Sequence, residues 1–356
     1  MKRSSRSVVT HLAWSAVSFF ALSSHGLAGQ EAKGNSTHED VSYGGLIRAF
    51  WGMSDDTIVT LGDPVASVLL DEAQVFTEFT RGTMLIRTQL ELSSGTARLE
   101  DGYIAFRAGD SLGVRVGQFK PRILHSASAN PETLVFRDRT ILGERFDFYD
   151  HGVEVSGAQD PFRWFVSLVN GPDGQEDGYF SAGRVEWASY ESELGLAEGA
   201  RGAPDYLICD VGLFGFFDSA TKSSVFDAGG YGIDLTLTLG PWYAHTEFTH
   251  LEKFFPASPV SVHGNPTLVL APDSSPLSMT FGHRIGEEWV ANARWERADD
   301  VPHTDHYAFA LNHFPGNGSL MITGDVSYYE TRGPQGLVFS LGMTIGANRP
   351  SHVREY

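Results

Sequence analysis

Residues 230–239, GYGIDLTLTL, are the clearest guide to the fold of this chain. Every second position is apolar, and these side chains are Tyr231, Ile233, Leu235, Leu237 and Leu239. The intervening positions are small or polar, namely Gly232, Asp234, Thr236 and Thr238. Because successive side chains of a β-strand point to opposite faces, this alternation predicts a strand with one apolar and one polar face.

The same alternation recurs along most of the chain. TMLIRTQLEL (83–92), WVANARWER (289–297) and LVFSLGMTIGA (337–347) are further examples. We count sixteen such segments, near residues 45–53, 67–79, 82–92, 97–107, 112–119, 150–158, 161–170, 179–188, 206–216, 229–239, 241–252, 277–285, 289–298, 304–313, 319–330 and 336–346. Most of them approach the roughly 9–11 residues that a tilted strand needs to cross a bilayer.

The connections between these segments differ in length. Short turns at 157–161, 240–241 and 286–288 carry the Gly, Pro and acidic residues that tight hairpins require. Longer connections occupy 120–149, 189–205, 217–228 and 253–276. Short turns at one end and long loops at the other are typical of outer-membrane β-barrels, so we expect this division here.

Two all-β architectures compete, a membrane barrel and a soluble β-sandwich. The polar face is rich in charge: Arg87, Glu91, Arg107, Arg115, Glu154, Arg184, Glu186, Asp234, Glu247, Arg294 and Asp325. The apolar face carries rings near strand ends: Trp51, Trp164, Trp187, Trp242, Trp289, Trp295 and Tyr328. Such rings suit interfacial girdles, and in lipid only a closed sheet satisfies every backbone amide. We therefore predict an all-β, transmembrane antiparallel barrel of about sixteen strands.

The N-terminus has the pattern of a secretory signal peptide. Lys2, Arg3 and Arg6 precede a largely apolar stretch, and small residues follow near residue 28. We predict a signal peptide at 1–28, a flexible polar leader at 29–42 and the barrel at 43–356. Export places the barrel in the outer membrane of a Gram-negative-type bacterium, with outer-membrane lipid around it.

Composition excludes several classes of function. Removing residues 1–28 takes away three basic residues and no acid, so 23 basic residues face 44 acidic ones and the net charge becomes −21. This balance argues against nucleic acid as a partner. One cysteine, Cys209, excludes an intramolecular disulfide and a cysteine-type zinc cluster.

Residues 120–149 lack the alternation, and their charges are mixed. The basic residues Lys120, Arg122, Arg137, Arg139 and Arg145 face four acids, which are Glu132, Asp138, Glu144 and Asp147. A sixteen-stranded barrel encloses a bore too wide to select solutes, and irregular backbone is tolerated inside it. We therefore expect this segment to fold inward as a constriction loop.

The residues around this segment resemble the phosphate-selective porin O and P family. The matching motifs are VRVGQFKPR (114–122), FRDRTILGERF (136–146), DHGVEVSG (150–157) and FRWFVSLVNGPDG (162–174). The resemblance covers roughly residues 67–190. It implies a sixteen-stranded barrel, a homotrimer, and a passive channel for small ions and hydrophilic solutes, with phosphate favoured by lumen arginines and lysines. After residue 28 the chain has only Lys33, Lys120, Lys222 and Lys253, so we expect a general or weakly selective pore.

The candidate site is a set of charged side chains, with two open interpretations. In the constriction they are Lys120, Arg122, Arg137, Asp138, Arg139, Glu144 and Arg145, and on the pore wall Arg87, Arg107, Arg115, Glu154 and Arg184. Arginines here could select ions through a positive track or a transverse field. The same residues could instead pin the loop to the wall through ion pairs.

Other motifs carry weaker signals. HTDH (303–306) offers two histidines, but positions i and i+3 of a strand face opposite sides, so we predict no metal or other cofactor. HFPGNGS (313–319) contains a His and a Ser around what looks like a turn. The pairs Asp55–Asp56 and Asp299–Asp300 could flank a glycosidase cleft. We predict a channel without enzymatic activity; the alternative is a secreted, soluble β-sandwich carbohydrate-active enzyme.

Overall fold

The computed structural model describes residues 39–55, 65–109, 111–171, 178–189, 205–219, 228–252, 260–262, 265–268, 273–299, 304–315, 320–330 and 335–347. The predicted signal peptide and residues 29–38 of the predicted leader lie outside these residues. The first strand begins at Glu39, so residues 39–42 are strand and not leader. These residues are mostly polar and lack the alternation of a strand, but they pair in regular register with the second strand, from Glu39 opposite Arg81 onward.

Sixteen strands form one closed antiparallel barrel, as predicted. They are β1 (Glu39–Asp55), β2 (Val65–Arg81), β3 (Met84–Glu91), β4 (Arg98–Ala108), β5 (Leu112–Phe119), β6 (Asp150–Gln159), β7 (Phe162–Val169), β8 (Phe180–Ala188), β9 (Ile208–Asp218), β10 (Ala228–Leu239), β11 (Trp242–Glu252), β14 (Leu277–Ile285), β15 (Trp289–Arg297), β16 (Asp305–His313), β17 (Leu320–Glu330) and β18 (Gln335–Ala347). Two short strands, β12 (Val260–Val262) and β13 (Asn265–Leu268), pair separately.

The barrel closes where its first and last strands meet. β1 pairs with β18 from Gly45 opposite Ala347 to Asp55 opposite Leu337. On its other side β1 pairs with β2, so the sheet has no free edge. The closed sheet excludes the β-sandwich of the alternative hypothesis.

Burial follows the alternation, but the polar side chains are the buried ones and the apolar side chains are exposed. In β10, Asp234 and Thr236 are buried, whereas Tyr231, Ile233 and Leu239 are exposed. A water-soluble protein buries its apolar side chains and exposes its charged ones. The barrel therefore has an apolar outer face and a polar interior.

The connections confirm the division into two ends only in part. The turns at 82–83, 160–161, 240–241 and 286–288 lie at one end, and the segments 120–149 and 253–276 lie at the other. The connection from β8 to β9 at 189–207 is long but lies at the short-turn end, contrary to the prediction. In an antiparallel meander the order of the strands fixes the end at which each connection lies, and its length has no influence.

Residues 120–149 leave the wall and contain three short helical segments. These are α1 (His125–Ser128), a 3₁₀ turn at Pro131–Thr133, and α2 (Ile141–Arg145). Apolar side chains of this loop pack against inward-facing rings of the wall, including Phe180, Phe214 and Phe216. Among the described residues, no helix has the length and apolar character needed to cross a membrane.

Candidate functional site

The loop formed by residues 120–149 crosses the bore. It starts after β5, and the backbone N–H of Ile141 donates to Oε1 of Glu296 on β15 over 2.7 Å. In barrel order β15 is eight strands from β5, which is half of the sixteen-strand circumference. Nδ2 of Asn312 on β16 donates to the carbonyl of Val135 over 3.0 Å. The predicted inward-folded constriction loop is therefore present.

A wall carboxylate on β11 holds the first helix of the loop. Glu247 accepts the backbone N–H of Ser126 in α1 over 2.8 Å and also the Ser126 hydroxyl. It also accepts from the Thr140 hydroxyl over 3.3 Å, and its Oε1 lies 3.3 Å from Nε2 of His245 on the same strand. Because the first N–H groups of a helix have no partner within the helix, an acid can satisfy them from the wall.

A second wall carboxylate holds the second helix in the same way. Glu296 accepts the N–H of Ile141, the first residue of α2, and its Oε2 lies 2.6 Å from Nδ1 of His306. Thr140 is the N-cap of α2 and accepts the N–H of Gly143 over 2.9 Å. Both helices therefore direct an N-terminal N–H at a carboxylate that also contacts a histidine.

Wall arginines hold the loop through its main-chain carbonyls. Each donates to a loop oxygen, Arg48 to that of Arg137 at 2.6 Å, Arg184 to that of Ile123 at 2.9 Å, and Arg294 to that of Asp138 at 2.9 Å. Arg184 was among the predicted pore-wall residues and Arg294 was assigned to the polar face, whereas Arg48 was not predicted. Alternation indicates which face an arginine lies on, but it carries no signal for the loop carbonyl that the arginine meets.

Arg139, one of the predicted loop cations, bonds to three groups of the loop through its guanidinium. Its guanidinium donates to Asp147 over 2.9 Å and to the carbonyls of Ser126 and Ala129 over 2.9 and 2.6 Å. Asp147 also forms an ion pair with Lys120. Burial opposes ionisation of Asp147, but Lys120 and Arg139 outweigh it and lower the pKa of this carboxyl to about 2. These three hydrogen bonds of Arg139 all lie within the loop.

The remaining predicted loop residues occupy separate environments. Arg137 is buried beside Asp138 and lies over the ring of Phe50, and Arg122 lies over the ring of Phe165. Burial lowers the pKa of Arg145 to about 10, although Asp218 acts in the opposite direction. Burial raises the pKa of Glu144 to about 7. The structure thus disperses these charges and does not gather them into one track.

The predicted pore-wall residues lie mainly in ion pairs. Arg115 pairs with Glu154 at 2.9 Å, and Arg87 pairs with Asp101 at 2.8 Å. Arg184 forms hydrogen bonds to Asp234 and Glu186. Arg107 is exposed and lies near the short-turn end of β4, opposite Gly113, far along β5 from the loop that starts after Phe119.

Two β-bulges turn adjacent acids towards the barrel interior, although strict alternation would place them on opposite faces of the strand. At the β1–β2 bulge, Asp71 and Glu72 both approach Nη1 of Arg48, at 3.5 and 3.7 Å. A bulge inserts one extra residue, so two neighbours can face the same side.

The second bulge lies between β3 and β4 and acts on another adjacent pair of acids. Asp101 contacts Arg87, while Glu100 accepts from Gln74 and Gln89 over 3.0 Å each. Adjacent acids inside a predicted strand were the sequence signal for both pairs, and the prediction missed it.

We call six wall acids on β2–β4 the acidic strip: Asp71, Glu72, Glu78, Glu91, Glu100 and Asp101. It faces the start and end of the loop, because Glu72 interacts electrostatically with Arg139 and Asp147, and Glu100 with Lys120. The strip therefore lies beside the two ends of the loop, and we call the part of the bore between the strip and the loop the narrowed region.

Candidate sites of other kinds find little support in the described part of the chain. No group of three or more His, Cys, Asp or Glu side chains there could hold a metal ion. His306 of HTDH contacts Glu296, and His303 lies outside the described residues. Ser319 of HFPGNGS, Asp56 and Asp300 also lie outside them.

Comparison with known proteins shows similarity in fold. No family model matches the chain, and no curated protein sequence matches it. The anion-selective porin from Comamonas acidovorans has a TM-score of 0.60 at 10% identity, over 87% of this chain and 100% of that one. The trimer form of OmpT, an outer membrane protein of Vibrio cholerae, has a TM-score of 0.58 at 12% identity, over 87% and 99%. The outer membrane protein opdK from Pseudomonas aeruginosa has a TM-score of 0.50 at 9% identity, over 86% and 98%. This chain therefore shares the barrel fold of outer-membrane porins.

Proposed function

We propose that the protein is an outer-membrane porin, a passive diffusion channel for small ions and hydrophilic solutes. One observation carries this proposal: a closed sixteen-stranded barrel has a polar interior and a loop that bonds to the wall opposite its origin. A loop in this place narrows the bore without closing the barrel, which is how wide barrels acquire selectivity. The proposal assigns the chain no catalytic role.

The outer face supports a position in a membrane. Leu213 and Phe281 lie within their strands and are more than half exposed. Rings of Trp242 and Trp289 lie at the starts of β11 and β15, against His283 and His313 at centroid distances of 4.0 and 4.2 Å. Apolar side chains in the middle and rings at the ends are the arrangement that lipid and its interfaces favour.

Three finer statements belong to the same proposal. The motifs around residues 114–174 support membership in the phosphate-selective porin O and P family. A homotrimer agrees with that resemblance and with the trimer form described for the Vibrio cholerae protein. The N-terminal sequence supports export through a signal peptide at 1–28.

The sequence leads to one hypothesis about the ion selectivity of the channel. Guanidinium groups that meet passing solutes would favour anions, phosphate among them. The arginines concerned are Arg137, Arg139 and Arg145 of the loop and Arg87, Arg107 and Arg115 of the wall. The dispersed positions of these arginines favour a weak preference at most. Reversal potentials in phosphate and chloride gradients test this hypothesis directly.

Single-channel recording tests the proposed function. Purified protein, refolded in detergent and added to a planar bilayer, should produce stepwise and voltage-independent conductance. The matched control is the same preparation after heat denaturation, which should produce no steps. If the protein that follows signal-peptide cleavage stays dissolved in the periplasm and conducts nothing in bilayers, the proposal is wrong.

A further inference from the structure

The narrowed region keeps contact with water on one side. Of the acidic strip, Asp71 and Glu72 keep 23% and 20% of their side-chain surface exposed, and Asp147 of the loop keeps 23%. The carboxylates on the opposite wall are sealed, with Glu247 at 0% and Glu296 at 1% exposure. Solvent therefore reaches the side of the loop that faces Asp71 and Glu72, which we call the wetted side, and is excluded from Glu247 and Glu296; Glu78, Glu91 and Glu100 of the strip are also buried.

The cations near this wetted side are hydrogen-bonded or ion-paired to groups of the protein itself. Arg139 is buried and bonds within the loop, and Arg48 donates to the carbonyl of Arg137. Arg87 forms ion pairs with Glu78 and Asp101. A guanidinium that already has protein acceptors has few donors left for a passing anion.

The acids outnumber these cations. Around the wetted side there are seven carboxylates, the six of the acidic strip and Asp147, against five cations, which are Arg48, Arg87, Arg98, Lys120 and Arg139. The two bulges produce this surplus, because each turns an adjacent pair of acids inward.

Glu91 provides an independent sign that the strip can accept a cation. It is 95% buried, since its relative exposure is 5%. Its Oε1 accepts the N–H groups of Ala73 and Ser93 over 3.2 and 2.6 Å. Its Oε2 has no hydrogen-bond partner among the described residues. A buried carboxylate oxygen without a donor favours any cation that comes within reach.

We infer that solutes pass between the acidic strip and the Asp147 end of the loop, and that this path selects small cations over anions. The inference rests on the proposed channel function, adds its substrate class, monovalent cations, and is opposite to the anion preference that the sequence hypothesis predicts. Rings or ladders of carboxylates at close quarters give a pore this selectivity. The carboxylates act within one Debye length, about 10 Å at 0.1 M salt, so the whole narrowed path feels them.

The unaltered protein gives the first test. In a KCl gradient near 0.1 M, the reversal potential should show K⁺ permeability exceeding that of Cl⁻ by about threefold or more. Near 1 M the ratio should approach one, because the Debye length falls to about 3 Å. Preferential Cl⁻ permeability, or a ratio that ignores salt, overturns the inference while leaving the channel function intact. A protein without conductance overturns both.

Variants locate the selectivity. Asp71→Asn with Glu72→Gln should lower the K⁺/Cl⁻ ratio at least twofold, and Asp101→Asn alone should lower it less. Glu252→Gln is the matched control, because that carboxylate is 66% exposed at the end of β11, outside the strip, and its removal should leave the ratio unchanged. Faster gel migration before heating verifies folding of each variant. A ratio that responds to Glu252→Gln and ignores both strip variants would place the selectivity elsewhere.

Discussion

Arginine side chains of this barrel fall into two groups by what they contact. Arg48, Arg139 and Arg184 are buried, and each donates to main-chain carbonyls of the loop and also forms ion pairs with acids. Arg81 and Arg98 are more than half exposed and form single ion pairs. Loss of a buried partner leaves charges and carbonyls unsatisfied, whereas exposed pairs contribute little to stability.

Arg139→Ala should therefore undock the loop. We expect the free energy of opening residues 120–149 to fall by about 3–5 kcal/mol, the usual cost of breaking a buried pair. Arg139→Lys should rescue little of it, because an ammonium cannot reproduce the fork that reaches Asp147 and two carbonyls. Hydrogen exchange of the loop measures the change. Arg81→Ala is the control, with an expected effect below about 1 kcal/mol.

His125 should make docking of the loop weaker in acid. Burial lowers its pKa from 6.5 to about 4, and the neighbouring His245 and Arg184 act in the same direction against Asp234 and Glu247. Since the folded loop prefers the neutral ring, docking is strongest above pH 6.5 and weakens as the pH falls towards 4. Single-channel current noise should rise over this interval, and His125→Phe should abolish the rise. Noise that rises equally in His125→Phe would contradict this role.

Glu144 should act with the opposite sign. Burial raises its pKa from 4.5 to about 7, and Asp138 and Asp147 add to the effect. The docked loop prefers the protonated carboxyl, so docking loses stability as the pH rises from 4.5 through 7. Glu144→Gln should flatten this limb of the exchange profile and leave the acidic limb of His125 unchanged. An unchanged neutral limb in Glu144→Gln would show that another group titrates there.

At the scale of elements, the loop owes its shape to the wall. Its helices have four and five residues, too few for a helix to persist in water by itself. Wall acids Glu247 and Glu296 take the free N–H groups of these helices, and both acids lie on strands far from the loop's origin. The loop and the barrel interior therefore form one bonded unit.

Removing these anchors should enlarge the pore. We expect Glu247→Ala or Glu296→Ala to raise single-channel conductance and its noise, since each leaves a helix N-terminus buried without an acceptor, at about 1–3 kcal/mol. Ser340→Ala is a suitable control, because this side chain is also buried in the interior, on β18, and its Oγ has no hydrogen-bond partner among the described residues. Equal conductance in all three variants would show that the anchors do not set the width of the path.

At the scale of the whole molecule, the outer face should behave as a lipid-exposed surface. Leu213 is at the centre of β9 and 55% exposed, so Leu213→Arg should cost about 2–4 kcal/mol of unfolding free energy in lipid vesicles. Phe217→Arg, near the end of the same strand, should cost about 0–1 kcal/mol for its charge. Urea unfolding followed by tryptophan fluorescence measures both. Equal costs at the two depths would contradict a membrane-spanning β9.

The positions of strands could be predicted from the sequence because alternation is a local property. All sixteen predicted segments overlap a barrel strand, and the long segment without alternation is the loop inside the barrel. The boundary at residue 43 was wrong because the polar residues 39–42 owe their strand conformation to pairing with β2. The end at which residues 189–207 lie followed from strand order and not from length.

The sequence by itself determined an all-β chain, its strand sites and, away from the two bulges, the face on which each side chain lies, since these depend on neighbours two residues away. Only the tertiary structure decided what the charges do. Ser126 meets Glu247 across 121 residues, and Val135 meets Asn312 across 177, so no local pattern could reveal these contacts. Bulges turned Asp71–Glu72 and Glu100–Asp101 inward because pairing with the neighbouring strand, and not the strand's own alternation, fixes register.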